Sequence, residues 1–186
     1  PIGNYNISQE IREQWINTQP EGSYTLTLLH GIDSTGLNFG NTYAPDTGVT
    51  VASGWQLLSL PHYMYDHSKL NLYPAVNSPV FVFDGSYIPL DTVPQNLAYW
   101  IKFDSTANIF LPGESRITDT IEVHQGWNII GSISIPVEVS DIIQIPPDNV
   151  ITSYFRYENG YIQSSALNSY FGYWVKIRED GKLILK

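Results

Sequence analysis

Few stretches of this chain place side chains at spacings that could do chemistry, and the strongest of them read as something else. Asp46-Thr47-Gly48 spells the aspartic-protease tripeptide, a chemistry that needs two carboxylates sharing a proton on paired loops. Ala44-Pro45 precedes it in place of an apolar strand and no second copy exists, so a Pro-Asp-Thr-Gly turn is the better reading. His30, His62, His67 and His124 show no His-Glu-x-x-His spacing; His62 and His67 are the one pair that could share a weak metal site. No Gly-x-Ser-x-Gly elbow, phosphate-cradling glycine loop or twelve-residue calcium loop occurs. Carboxylates are numerous, but a glycosidase pair is defined by a separation of about 5 to 9 Å across a cleft, which spacing along a chain does not set. The expectation is no catalytic residue, no cofactor and no metal.

Aromatic side chains offer a different chemistry. Exposed Tyr and Trp rings stack on the apolar faces of sugars while hydroxyls and a nearby carboxylate take hydrogen bonds. The candidates are Tyr63, Tyr65 and Tyr73 with Asp66, in and after His62-Tyr63-Met64-Tyr65-Asp66-His67. They have no aromatic counterpart elsewhere in the chain, and a ligand site usually needs one constellation only. The competing reading is that Tyr63 and Tyr65 continue a strand and pack on Trp15 or a linker.

The elements that must position these residues come from a stretch that occurs twice. Gly54-Trp55-Gln56-Leu57-Leu58 closes with Ala98-Tyr99-Trp100-Ile101-Lys102-Phe103; Gly126-Trp127-Asn128-Ile129-Ile130 closes with Gly172-Tyr173-Trp174-Val175-Lys176-Ile177. Between them Phe81-Val82-Phe83-Asp84-Gly85-Ser86-Tyr87 matches Phe155-Arg156-Tyr157-Glu158-Asn159-Gly160-Tyr161. The offset is 72 at the Gly-Trp pair and 74 from Phe81 and Phe155 onward. Positions kept in both copies satisfy one local fold twice, so Trp55, Trp127, Trp100 and Trp174 read as framework; the functional alternative makes the two Trp faces a symmetric pair of sugar platforms. Period 2 sets Tyr99, Ile101 and Phe103 on one face and Trp100 with Lys102 on the other. Asp84-Gly85 and Asn159-Gly160 are type I′ hairpin signals, and a short helical turn could follow Ser68 or Asp141.

The chain is thus expected to be all-β: a duplicated subdomain of two pseudo-symmetric halves, each of about five strands, forming a sandwich or barrel. The boundaries read as repeat one over 53–113, a connector strand in 114–125 and repeat two over 126–186. In the connector Ile117, Ile121 and Val123 share a face with Asp119 among them. Residues 44–52 read as a linker. In 1–43, alternation over Ser23–Leu29 and again over Leu37–Asn41 predicts a hairpin, while Ile7, Ile11 and Trp15 lie at helical spacing.

Gly3-Asn4-Tyr5-Asn6-Ile7, Gln14-Trp15-Ile16-Asn17, Tyr24-Thr25-Leu26-Thr27-Leu28 and Asn38-Phe39-Gly40-Asn41 resemble the C-terminal half of a prealbumin-like, collagen-adhesin B-type repeat of bacterial surface proteins. The resemblance implies a partial Ig-like β unit and favours a strand at residues 5–9. In that family an Asn of the last strand can form an isopeptide bond with a lysine beside a buried Glu. Asn41 is the matching position, but Gln9 stands where the Glu would and the first lysine is Lys69, so no such bond is expected. Residues 53–186 resemble the Gly-Trp-Asn…Gly-Tyr-Trp-Val-Lys repeat of secreted multidomain bacterial proteins, which implies an extracellular or cell-surface location.

Composition agrees with that company. Net charge is −9 with nine Lys plus Arg, which argues against nucleic acid and anionic membrane surfaces. There is no cysteine, no apolar run long enough for a membrane helix, and Pro1 opens no leader-like segment, so any signal peptide is expected outside this stretch. The function read from sequence is a non-catalytic adhesion or glycan-binding module of a larger secreted protein. The alternative is a structural spacer whose N-terminal strands pair with another domain or chain.

Overall fold

The computed structural model describes residues 2–10, 15–20, 23–30, 35–43 and 48–186, with the side chains of 15–19 and 41–43 left aside. The fold is all-β, and the chain divides into two compact units, 1–46 and 47–186. Residues 44–47 of the linker reading, like Ile11 in the helix reading, lie outside the described residues.

In the first unit, β1 (Gly3–Ile7), β2 (Trp15–Gln19), β3 (Tyr24–Leu28) and β4 (Gly40–Tyr43) pair two by two: β1 with β3, and β2 with β4. Residues 3–7 are therefore strand, and the expected hairpin between 23–29 and 37–41 does not form. Its first strand instead takes β1, where Thr25 and Thr27 hydroxyls donate to the side-chain oxygens of Asn6 and Asn4 at 2.9 and 2.7 Å. Tyr24 still reaches the later segment, its hydroxyl donating to the Asn38 carbonyl at 2.7 Å and its ring meeting Phe39 edge-on.

The second unit runs β5 (Val49–Val51), β6 (Gly54–Leu58), β7 (His62–Tyr63), α1 (Lys69–Leu72), β8 (Val80–Asp84), β9 (Ser86–Leu90), β10 (Tyr99–Phe103) and β11 (Ala107–Ile109). It continues with β12 (Glu114–Ser115), β13 (Asp119–Val123), β14 (Gly126–Ile130), β15 (Val137–Glu138), a 3-10 turn at Val139–Asp141 and β16 (Ile143–Ile145). Then come β17 (Tyr154–Tyr157), β18 (Tyr161–Ser164), β19 (Ala166–Leu167), β20 (Tyr173–Ile177) and β21 (Gly181–Leu185). Two four-stranded antiparallel sheets dominate, ordered β6-β10-β8-β9 and β14-β20-β17-β18. Their registers correspond: Trp55 lies opposite Lys102 and Trp100 opposite Phe81 in the first; Trp127 lies opposite Lys176 and Trp174 opposite Phe155 in the second.

Several sequence boundaries shift. Residues 49–51, read as linker, form β5 and pair with β11. Before it, Gly48 has φ +73° and a Cβ there would lie 2.2 Å from the Ile109 carbonyl, so no side chain fits. The connector holds two strands, β12 pairing with β7 and β13 with β21; Ile121 and Val123 are buried as alternation predicts, whereas Ile117 is exposed. Both Gly-containing hairpins close, but only the second has two turn residues at positive φ, Asn159 and Gly160; in the first Gly85 alone does. The helical segments follow Ser68 and end at Asp141. Their preceding residues, Ser68 and Glu138, are 70 apart rather than 72, so the first half is two residues longer in the His62–His67 connection and the second half longer after its helical turn.

Each sheet buries the face that alternation assigns. Tyr99, Ile101 and Phe103 join Leu58, Val80 and Val82 in one core, and Tyr173, Val175 and Ile177 join Ile130 and Tyr154 in another. The opposite faces meet in a third cluster made of Leu57, Ala98, Trp100 and Ile129, with Phe81, Phe83, Tyr157 and Trp174 against it.

Candidate functional site

That third cluster opens into two aromatic pockets. One, of about 360 Å³, is lined by Trp55, Phe81, Tyr87, Trp100 and Tyr157. The other, of about 420 Å³, is lined by Trp127, Phe155, Tyr161, Trp174 and Phe83. Both volumes lie in the range of small-ligand sites, about 300 to 1,000 Å³. Four rings of each pocket come from one sheet and the fifth from the other: Tyr157 crosses to the first, and its counterpart Phe83 crosses to the second.

Strand alternation explains the set. Phe81 and Phe83 point away from buried Val80 and Val82, as Trp100 does from Tyr99 and Ile101. The rings contact one another edge-on, the geometry preferred by their quadrupoles: Trp55 with Phe81 at 5.6 Å between centroids, Trp100 with Tyr157 at 4.8 Å and, correspondingly, Phe83 with Trp174 at 4.9 Å. Phe83–Tyr87 and Tyr157–Tyr161, both at 5.6 Å, link each pocket to its neighbour. The outer rings stay open, Trp55 being 41% and Trp127 45% exposed.

Polar groups are sparse. The Lys176 ammonium stands 6.0 Å from the Trp127 ring centroid, and Lys102 occupies the matching place opposite Trp55. The Trp100 and Trp174 indole N–H groups are buried with no hydrogen-bond partner, an omission that costs about 1 to 3 kcal/mol each and that ring packing must offset. Desolvation raises the Tyr161 pKa, with the hydroxyl of Tyr87 adding to the shift and the Trp174 N–H beside it opposing, without hydrogen-bond geometry.

The sequence-selected residues line neither pocket. Tyr65 is fully exposed, and Tyr63 is 47% exposed on β7 opposite Glu114. Tyr73 is 3% exposed, with its hydroxyl 2.5 Å from that of Tyr99; it belongs to the core and is withdrawn from any ligand surface. Burial raises the pKa of both hydroxyls. Asp66 turns back on its own chain, accepting the Ser68 N–H at 2.7 Å and an Asn71 side-chain N–H, and the Asn71 bond, then the Ser68 bond, lowers its pKa. His62 Nδ1 lies 3.1 Å from the Leu111 carbonyl, and both His67 ring nitrogens lie on carbonyls, those of Val93 and Met64. Among the described residues no three His, Cys, Asp or Glu side chains are grouped to hold a metal ion. Of the Trp residues read as framework, Trp100 is buried and Trp174 half-buried, whereas Trp55 and Trp127 form exposed pocket walls.

Sequence reading missed Arg116 altogether. It is 1% exposed and spans the two halves, donating from Nη2 to the carbonyls of Leu60 at 2.9 Å and of Ser132, its 72-residue counterpart. Nη1 donates to Gln95, Asn96 and Asp119, each at 3.2 Å. Burial lowers its pKa, with Asp119 opposing. An isolated arginine in a polar connector carries no signal of such a position. Compared with known protein families, curated proteins and solved structures, the chain matches none.

Proposed function

We propose that residues 48–186 form a non-catalytic glycan-binding module, and that the chain is an adhesive part of a larger secreted or cell-surface bacterial protein. The observation that carries this is the pair of five-ring pockets on the meeting faces of the two sheets. Apolar C–H faces of pyranose rings suit such walls, and the Tyr87, Tyr161, Lys102 and Lys176 head groups offer the few polar contacts that orient a ligand. The module is read as a duplicated β subdomain; the shared strand order, the corresponding registers and the paired pockets support that reading. The extracellular assignment rests on the surface-protein resemblances of residues 3–43 and 53–186.

The test is a glycan array and polysaccharide pull-down on the whole chain beside Trp55→Ala, Trp127→Ala and the double variant. Each single change should weaken binding and the double change should abolish it, with the circular-dichroism spectrum and melting curve retained. A double variant that binds as the native chain does would remove the pockets from the site.

One observation favours an assembly role for the first unit. Among the described residues its strands pair only two by two, and open strand edges template further pairing. Light scattering on the whole chain checks this: a dimer that dissociates when residues 1–43 are removed supports strand pairing between chains, and a monomer at high concentration opposes it.

A further inference from the structure

The two sheets meet reciprocally. Leu58 bridges Phe171 and Leu97 bridges Ile130; Ile130 is the 72-residue counterpart of Leu58, and Phe171 the 74-residue counterpart of Leu97. Tyr157 enters the first pocket as Phe83 enters the second. Contacts in which i meets j′ while j meets i′ mark a two-fold relation; a head-to-tail repeat would make them one way only. Arg116 Nη2 donates to the counterpart carbonyls of Leu60 and Ser132, as a group near such an axis would.

A two-fold rotation reverses every direction perpendicular to its axis, and the line joining two related pockets is always perpendicular to it. A polysaccharide has a reducing and a non-reducing end. A single straight chain crossing both pockets would therefore enter one in the opposite sense from the other, so both cannot grip it alike. Two chains running in opposite directions meet no such conflict.

Ring chemistry narrows the class of ligand. Walls made of five aromatic side chains leave little to receive a hydroxyl standing perpendicular to a sugar ring. A pyranose with all substituents equatorial presents C–H groups to both faces and keeps its hydroxyls at the edge, within reach of Tyr87 and Tyr161 in the walls and of Lys176 beside Trp127. We propose that the module takes one segment of a linear β-1,4-linked, all-equatorial polysaccharide in each pocket, in opposite directions, and thereby cross-links two chains. The proposal rests on reading the pockets as glycan sites.

The experiment is calorimetry of the whole chain with cellohexaose and with chitohexaose, followed by turbidity and viscosity with hydroxyethylcellulose and glycol chitin, at concentrations where light scattering shows monomeric protein. Two oligosaccharides should bind per chain, and the protein should raise the viscosity of one of the polymers; the two sugar series separate glucosyl from N-acetylglucosaminyl recognition. Trp55→Ala and Trp127→Ala should each lower the stoichiometry to one and abolish cross-linking while polymer is still retained. Tyr87→Ala and Tyr161→Ala, changes at exposed positions, repeat the test if a Trp variant unfolds. One site per native chain, cross-linking by single-pocket variants, or preference for mannan or galactan, whose rings carry an axial hydroxyl, overturns the proposal and leaves the glycan reading standing. Failure of every polysaccharide to bind overturns both.

Discussion

Two regions of the second unit carry clusters of aromatic side chains and use them in opposite ways. In the connection over residues 62–73, which is longer in the first half than in the second, Tyr73 is sealed against Tyr99 and Phe103, Asp66 holds the start of α1, and Tyr65 is fully exposed. On the meeting faces of the two sheets, corresponding residues form two open pockets. Of the unrepeated residues Tyr73 is core and Tyr63 and Tyr65 are exposed; of the repeated ones Tyr99 and Tyr173 are core, whereas the Trp residues line the cavities. Each sheet supplies one ring to the pocket lined mainly by the other, Tyr157 to the first and Phe83 to the second. The pockets also differ at that borrowed position, where the first has the Tyr157 hydroxyl and the second has Phe83.

The sharpest break in this arrangement is Arg116→Ala. It leaves two counterpart carbonyls and Asp119 without their buried partner, and removing one member of a buried ion pair costs about 3 to 5 kcal/mol. Urea unfolding should show a loss of that size, and pocket ligands should weaken together; a shift below about 1 kcal/mol would mean that the guanidinium is not what joins the halves.

Gly172→Ala probes the seam more locally. A Cβ at Gly172 would lie 2.4 Å from the Cβ of Ala98, its counterpart, and 2.9 Å from Leu57 Cγ. Overpacking of this kind costs about 1 to 3 kcal/mol. Adding Ala98→Gly should restore most of the melting temperature, since one methyl group fits at the seam and two do not. Independent effects of the two changes would argue against direct contact.

The scaffold side of the comparison is tested by alkali. Tyr73 and Tyr99 have pKa values raised by burial, and that of Tyr154 is pushed up to about 12 by the same cause. Such groups contribute stability that is full below the unfolded value near 10 and lost as pH rises through the raised folded values. Stability should hold to about pH 10 and then fall, with ultraviolet absorbance at 295 nm showing these tyrosines ionising together with unfolding.

The smallest effect belongs to Tyr65→Ala. An exposed residue without a partner changes stability within about 0.5 kcal/mol, and polysaccharide retention should be unaltered. Lost retention at constant stability would return the site to the 62–73 connection.

The all-β class and the two faces of the strand Tyr99–Phe103 were legible from sequence, because side-chain alternation is a local consequence of extended backbone. Tyr99, Ile101 and Phe103 against Trp100 and Lys102 needed no partner to be assigned to opposite faces. Alternation does not say what a face meets. Trp100 and Trp174 read as framework, with a platform as the alternative, and only the other sheet brought Tyr157 and Phe83 across to them. Tyr73 looked available because nothing near it in sequence covers it; Tyr99, which does, is 26 residues away. The pairing of β3 with β1 was likewise hidden, since an edge strand accepts any partner of suitable register. Arg116 was invisible for the same reason, its partners lying up to 56 residues away. The sequence by itself determined which residues alternate and which recur. Only the tertiary structure decided which recurring faces would meet, because that depends on contacts between segments that no spacing along the chain encodes.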